Sequence, residues 1–410
     1  MQKHGLSLAF VQKLCVLYLV VWMISPPMEI DLIYRLFALG CAAFWFIIMV
    51  IREGKLSLSA DDAGALAFML IVMVIAYAGS GSISNVIKQI SYYILVMCYV
   101  MNRRYIDNWS ELKGIIQIVL ILCIIFNSIT VKTLSEDSSV ARLLIRDTED
   151  TYKYLRQGVG GYSLIYPQVC IIPAGTAWTV NAFRHNKFDF FLGVAWLLSF
   201  TVFALNAGYS LAIFASAVGI FMLFFYKGRS GTIAFVISVA IFAGAMLSIL
   251  YIDSLRNFLL SQFDGTAVAK KINDLVASSE TGAAEGSIND RIRVYKNSLE
   301  LLFKYPIIGS LWHNSGGGHS AFLDTFAVYG VFGCAVFTKM MYAVPNNYKN
   351  IYDMTYIMYV ANASLVTLLF VTVLDSFTYS FVGMIMFIMP MFFEDIIKWR
   401  KLNNESTLER

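Results

Sequence analysis

A chain of 410 residues that is 58% hydrophobic and 14% charged lies outside the soluble class, in which about 25% of residues are charged and about half are apolar. Its net charge of +4 is too diffuse to suggest a nucleic-acid surface. Apolar runs of roughly 17–25 residues recur along it, the length a helix needs to cross a bilayer. Lipid offers backbone polar groups no partner, so each run must be helical.

The expected fold is all-α, a polytopic transmembrane protein of about twelve spans. In chain order the spans fall near 6–24, 32–51, 63–79, 83–101, 112–131, 159–181, 188–205, 208–226, 231–251, 319–337, 354–374 and 376–398. The first has basic residues before it and no small-residue cleavage site after it, which reads as a retained span and not a signal peptide. All six cysteines lie inside the apolar runs, so no disulfide framework and no metal cluster is expected. Arg35, Lys88 and Asp189 sit near span ends, where long side chains reach the interface. No internal repeat of the kind transporters carry is visible.

Loop charges set the orientation. One set of loops holds Arg52 and Lys55, Arg103 and Arg104, Arg184 and Lys187, Lys227 and Arg229, then Lys339 and Lys349; the tail adds Lys398, Arg400 and Lys401. The short alternate loops, SPPMEID, GSGS, NAG and DS, contain no lysine or arginine. Both termini are therefore expected in the cytoplasm. Two hydrophilic segments then fall on the outer face, one near 132–158 and a larger one at 252–318. The chain divides accordingly into residues 1–251 with nine spans, the large loop 252–318, and residues 319–410 with the last three spans and a tail. Long loops in compact proteins are usually functional or disordered.

Within the large loop, SINDRIRVYKNSLELLFKYPIIG starts at Ser287. Ser287 or Asn289 can cap a helix, Ile292, Tyr295, Leu299 and Leu302 share one face, and Pro306 and Gly309 end it. An amphipathic helix lying on the outer membrane surface is expected, with Arg291 in its first turn. In isolation Arg291, Arg293 and Lys296 also read as an ordinary solvated face beside anionic headgroups. After Gly309 come His313, three glycines and then His319 at the outer end of the tenth span. A helix N-terminus disfavours imidazolium, which would leave His319 neutral and able to accept a proton. Ser320 and Asp324 lie one turn apart and predict an inward polar stripe. Phe322, Leu323 and Phe326 are expected to face lipid or other helices.

The order of these pieces carries a resemblance. Arg291 to Tyr295, then YPIIG (Tyr305–Gly309), then GHSAFLDTFAVYGVFG (Gly318–Gly333) resembles the large-loop signature of the O-antigen polymerase and ligase superfamily, in particular its Wzy-type polymerases. About 45 residues carry it, and GVGGYSLIYPQ (Gly158–Gln168) is similar to the segment after the family's first outer loop. The resemblance implies a GT-C-like glycosyltransferase of the bacterial cytoplasmic membrane, acting at the outer face on undecaprenyl-diphosphate-linked oligosaccharides, with no metal and no cofactor. It implies that Arg291 holds the donor diphosphate and that His319 orients or deprotonates the acceptor hydroxyl. A guanidinium suits diphosphate because its charge is permanent and its donors form a planar fork. Arg142, Arg146 and Arg156 become candidates for a second phosphate clamp, Arg156 first because it lies nearest the membrane edge. Arg293, Ser320, Asp324 and His313 are further candidate substrate contacts, His313 serving the loop more than the chemistry. The chain departs from many relatives at NAGYS (Asn206–Ser210), where they carry a Ser-Arg pair.

Three functions follow as expectations. The first is polymerisation of lipid-linked repeat units into O-antigen, capsular or exopolysaccharide chains, with a chain-length regulator as a possible partner. The second is an O-antigen-type ligase using the same donor. The third is a lipid-linked oligosaccharide flippase or other transporter, whose key residues should instead lie near the midplane between repeats.

Overall fold

The computed structural model describes residues 8–53, 58–105, 112, 114–144, 149–225, 244, 251–262, 269, 272–273, 276, 287–311, 318–351 and 355–408. Regular structure among them is entirely helical. The first part of the chain forms α1 (Leu8–Ile24), α2 (Pro26–Ile30), α3 (Leu32–Glu53), α4 (Ala60–Ser80), α5 (Ile83–Ile87) and α6 (Ile90–Tyr105). Then come α7 (Ile115–Glu136), α8 (Val140–Leu143), α9 (Glu149–Arg156), α10 (Tyr162–His185), α11 (Lys187–Ala207) and α12 (Ser210–Phe225). The remainder forms α13 (Asp253–Gln262), α14 (Ser287–Lys304), α15 (Ala321–Met341), α16 (Ala343–Ile351), α17 (Thr355–Leu374) and α18 (Tyr379–Gly383). A π-helical turn (Met384–Ile388) joins α18 to α19 (Met389–Leu408).

Among the described residues, seven helices are long and apolar enough to cross a membrane: Leu32–Ile51, Ala60–Ser80, Ile115–Glu136, Lys187–Ala207, Ala321–Met341, Thr355–Leu374 and Tyr379–Leu402. α1 and Leu211–Phe224 are apolar but shorter. The chain is thus an all-helical polytopic membrane protein. Nearly all of the expected ninth span, 231–251, lies outside the described residues. The expected span at 83–101 is divided into α5 and α6. There the Val86 carbonyl accepts from the Gln89 amide (3.1 Å) and from the Tyr93 hydroxyl (2.6 Å), a local alternative to continuing the helix. The six cysteines are unpaired.

α10 is the central element, buried along most of its length and packed by α11, α12, α17 and α19. Small residues let those neighbours approach. A Cβ on Gly175 would stand 2.5 Å from the Trp196 ring, and one on Gly219 would stand 2.3 Å from Thr367. Close backbone approach of this kind drives helix association where lipid removes the hydrophobic effect. A buried amide pair adds specificity. Gln168 and Asn127 donate to each other's carbonyl oxygens at 3.0 and 3.1 Å, and the Trp196 indole N–H donates to Gln168 Oε1 at 2.9 Å.

At one end of the bundle, Arg103 pairs with Asp61 at 2.9 Å, Lys339 meets the same carboxylate, and Ser59 and Asp62 form the capping box of α4. These contacts tie α4, α6 and α15. Two charges expected to snorkel are bonded within the protein. Asp189 is buried and accepts from Gln117 (3.1 Å) and Asn186 (2.6 Å). Arg35 donates twice to the Glu29 carbonyl, at 2.9 and 2.6 Å. The cost of an unpaired polar group at a bundle edge selects these short-range partners over solvent. Lys88 is exposed.

Candidate functional site

The opposite end of the bundle gathers the residues of interest. α15 begins there, and its orphan N-terminal amides are taken by protein acceptors. Ser320 is the N-cap, its hydroxyl accepting from the Leu323 amide at 3.1 Å. Asp324 Oδ2 accepts from the Ser320 amide at 3.1 Å, and the Ala321 amide donates to the Asp375 carbonyl at 2.7 Å. A helix start filled this way offers those three donors to no anion. His319, half-buried, precedes the cap directly.

α14 is present as the sequence predicts, but its position differs. Its Ser298 hydroxyl donates to Asp324 Oδ1 at 2.7 Å, while the Pro306 carbonyl just beyond it accepts from the Val331 amide at 2.9 Å. Eight residues of advance along the α14 segment thus match seven along α15. The two run side by side in the same direction, so α14 does not lie flat across the bundle end. The Tyr295 hydroxyl adds a tie to the Leu374 carbonyl at 3.2 Å. Its buried face is also rotated from the expected one. Ser298 and Leu301 are buried, while Leu299 is 38% exposed, because Asp324 draws the polar Ser298 inward.

The turn after α14 interlocks with a break in α15. Gly330 has φ +66° and ψ −170°, so the helix is interrupted there. The Ala327 carbonyl accepts from the Ser310 amide at 2.8 Å, and the Val331 amide, which a continuous helix would direct to Ala327, turns to Pro306. Each orphaned group is satisfied by the inserted turn, as buried backbone requires. Pro306, Gly309 and Gly330, all conspicuous in the motif, are thus explained by one contact.

Of the sequence candidates, Asp324 is tied to α14 and Ser320 to Asp324, with His319 next to them in the chain. Ser320 and Asp324 are engaged as the cap and the tie to α14. Arg293 is exposed on α14. Since α14 starts at Ser287, Arg291 falls in its second turn and not the first; its side chain lies outside the described residues. So do the side chain of Arg142 and all of Arg146 and His313. Arg156 is exposed at the end of α9, which packs on α2. Among the described residues no group of three or more metal-ligating side chains converges.

A second polar group at this end was missed in the sequence. The Glu29 side chain of α2 turns inward, where Ser163 Oγ donates to Oε2 at 2.7 Å. The Tyr379 ring stacks on Trp22 at 4.4 Å and 13°. Tyr162, Tyr166 and Tyr209 form an adjoining edge-to-face cluster, with Asp375 within electrostatic range of Tyr209. Burial pushes the Glu29 carboxyl above the usual range, opposed by Ser163, Tyr379 and the Arg35 charge. The available signal was a carboxylate in a seven-residue loop between two apolar spans.

An apolar groove of about 640 Å³ between α1 and α3, including Leu14, Cys15, Tyr18, Phe37, Cys41 and Phe44, carries no polar chemistry. No protein-family model matches this chain, and a search of the curated proteins finds no match.

Proposed function

We propose that this protein is a membrane glycosyltransferase that polymerises undecaprenyl-diphosphate-linked repeat units at the outer face of the bacterial cytoplasmic membrane. In this reading the chain has the twelve-span, GT-C-like organisation of its motif relatives, with both termini in the cytoplasm. Arg291 holds the donor diphosphate and offsets charge as it leaves. His319 accepts the proton of the acceptor hydroxyl. Arg156 and Arg293 are additional cations for the lipid diphosphate. Ser320 and Asp324 act as positioning residues, since their hydrogen-bonding capacity is used inside the protein.

The observation that supports the reading best is the tie between the two motif halves. Ser298, two turns after Arg291, reaches Asp324, and Asp324 reaches the Ser320 amide beside His319. One short chain of hydrogen bonds therefore links the helix bearing the arginine to the residue following the histidine. A transfer reaction needs such fixed separation between its phosphate-binding and proton-accepting groups. A transporter reading gains nothing from it.

The test is polymer length in a strain lacking the chromosomal copy. Arg291→Ala and His319→Ala should each abolish the long-chain ladder at normal membrane abundance. Losing a charge-stabilising donor costs about 3–4 kcal/mol, and losing a general base costs about 10²–10⁴-fold. Arg291→Lys should restore little, because an ammonium lacks the planar fork. A wild-type ladder from His319→Ala overturns the assigned chemistry.

A further inference from the structure

The Glu29 group contains buried donors with no acceptor. The Trp22 indole N–H and the Tyr209 hydroxyl have no hydrogen-bond partner, although both residues are at most 5% exposed. The Tyr379 hydroxyl is turned toward the Glu29 carboxylate, which it helps to stabilise. Each buried unsatisfied polar group costs about 1–3 kcal/mol, and such groups call for an explanation. One of the two, Trp22, stacks on Tyr379 beside a carboxyl held by Ser163 and Tyr379.

The chemistry of the missing occupant follows from what is present. Aromatic faces accept an apolar surface, and their N–H and O–H groups require acceptors. A phosphate would supply acceptors but would stand against the Glu29 carboxylate. A sugar ring is neutral, offers C–H faces to aromatic rings, and carries hydroxyls that both donate to a carboxylate and accept from tyrosine. We propose that Glu29, Tyr379 and Trp22 form a subsite for one sugar ring of the lipid-linked glycan, separate from the arginines that hold its diphosphate. This inference rests on the glycosyltransferase reading. Trp22 and Tyr379 are at most 6% exposed, so a ring enters only if a neighbouring segment moves, and Glu29 itself lies on the five-residue helix α2. The raised affinity of Glu29 for its proton lets the carboxyl act as donor as well as acceptor.

Tyr379→Phe combined with Trp22→Phe removes the hydroxyl that faces Glu29 and an unpartnered N–H while keeping two aromatic rings. A purely structural role predicts a lower melting temperature without lipid and no selective change in affinity. The probe is the lipid-linked glycan fraction extracted from membranes of a strain lacking this protein. The control is the same fraction stripped of its glycan by mild acid, leaving the bare polyprenyl diphosphate. Binding to purified protein in nanodiscs is read by thermal shift across a concentration series. The wild type should bind the intact fraction more tightly than the control. The double variant should lose at least about tenfold in affinity for the intact fraction only. Glu29→Gln should show the same selective loss, which covers poor folding of the double variant. Equal affinity of wild type and both variants for the intact fraction overturns the subsite alone, as does equal binding of intact and stripped lipid by the wild type. No binding of either lipid by the wild type overturns the glycosyltransferase reading with it.

Discussion

Gly309 and Gly330 hold each other's segments at backbone contact. A Cβ on Gly309 would stand 2.0 Å from the Val328 carbonyl oxygen, and one on Gly330 would stand 2.1 Å from that of Ile307. Both residues also have positive φ, +78° and +66°. The turn after α14 therefore fits the break in α15 only if both positions lack a side chain.

Gly309→Ala and Gly330→Ala should accordingly each destabilise the protein by about 3 kcal/mol, combining backbone strain with a clash that rigid main chain cannot relieve. Gly318 separates the two effects. Its φ is +77° but open space surrounds it, so Gly318→Ala should cost only about 1–2 kcal/mol. Thermal melting in detergent orders the three variants, and a Gly318→Ala as damaging as the others would disprove the interlock.

Ser298→Ala leaves Asp324 with one partner fewer in a place where Ser298 is buried. The expected cost is about 1–3 kcal/mol, concentrated locally. Hydrogen exchange should accelerate in residues 298–311 and hardly change in α10. Uniform acceleration across the bundle would show that the contact does not act as a local tie.

Glu29 gives a pH dependence with a defined sign. A carboxyl raised by burial keeps its proton in the folded state after the unfolded chain has released it. Stability therefore falls as pH rises above the ordinary carboxyl value of 4.5. Glu29→Gln removes that dependence. Its melting temperature should gain on the wild type as pH rises above 4.5, and parallel curves would contradict the inward, desolvated carboxyl.

The loop charges make an independent prediction. Reporter fusions at Arg104 and Lys349 should be cytoplasmic, and fusions near Glu149 and Gly282 should lie on the far side. An inverted result at Gly282 would remove the large loop from the face where lipid-linked glycans are polymerised.

The membrane class was legible from composition and run length because the constraint that enforces it is local: each span must satisfy its own backbone. The existence of α14 and its end before Gly309 were legible for the same reason, since capping residues, helical spacing and Pro306 act within one turn. Which face α14 buries was not. Leu299 belongs to the apolar stripe but is exposed, and Ser298 is buried, because the deciding partner, Asp324, comes from another helix.

The interruption of α15 was equally hidden, for its replacement acceptor is the Pro306 carbonyl, 25 residues earlier in the chain. Glu29 read as part of a short loop until residues 163 and 379 were brought beside it. In a membrane protein, lipid-facing and core-facing positions are both apolar, so hydrophobic periodicity says that a helix exists but not which side meets its neighbours. The sequence alone determined the membrane class and the local punctuation. Only the tertiary structure decided the pairing of polar groups, because a hydrogen bond between distant segments leaves no periodic trace in either one.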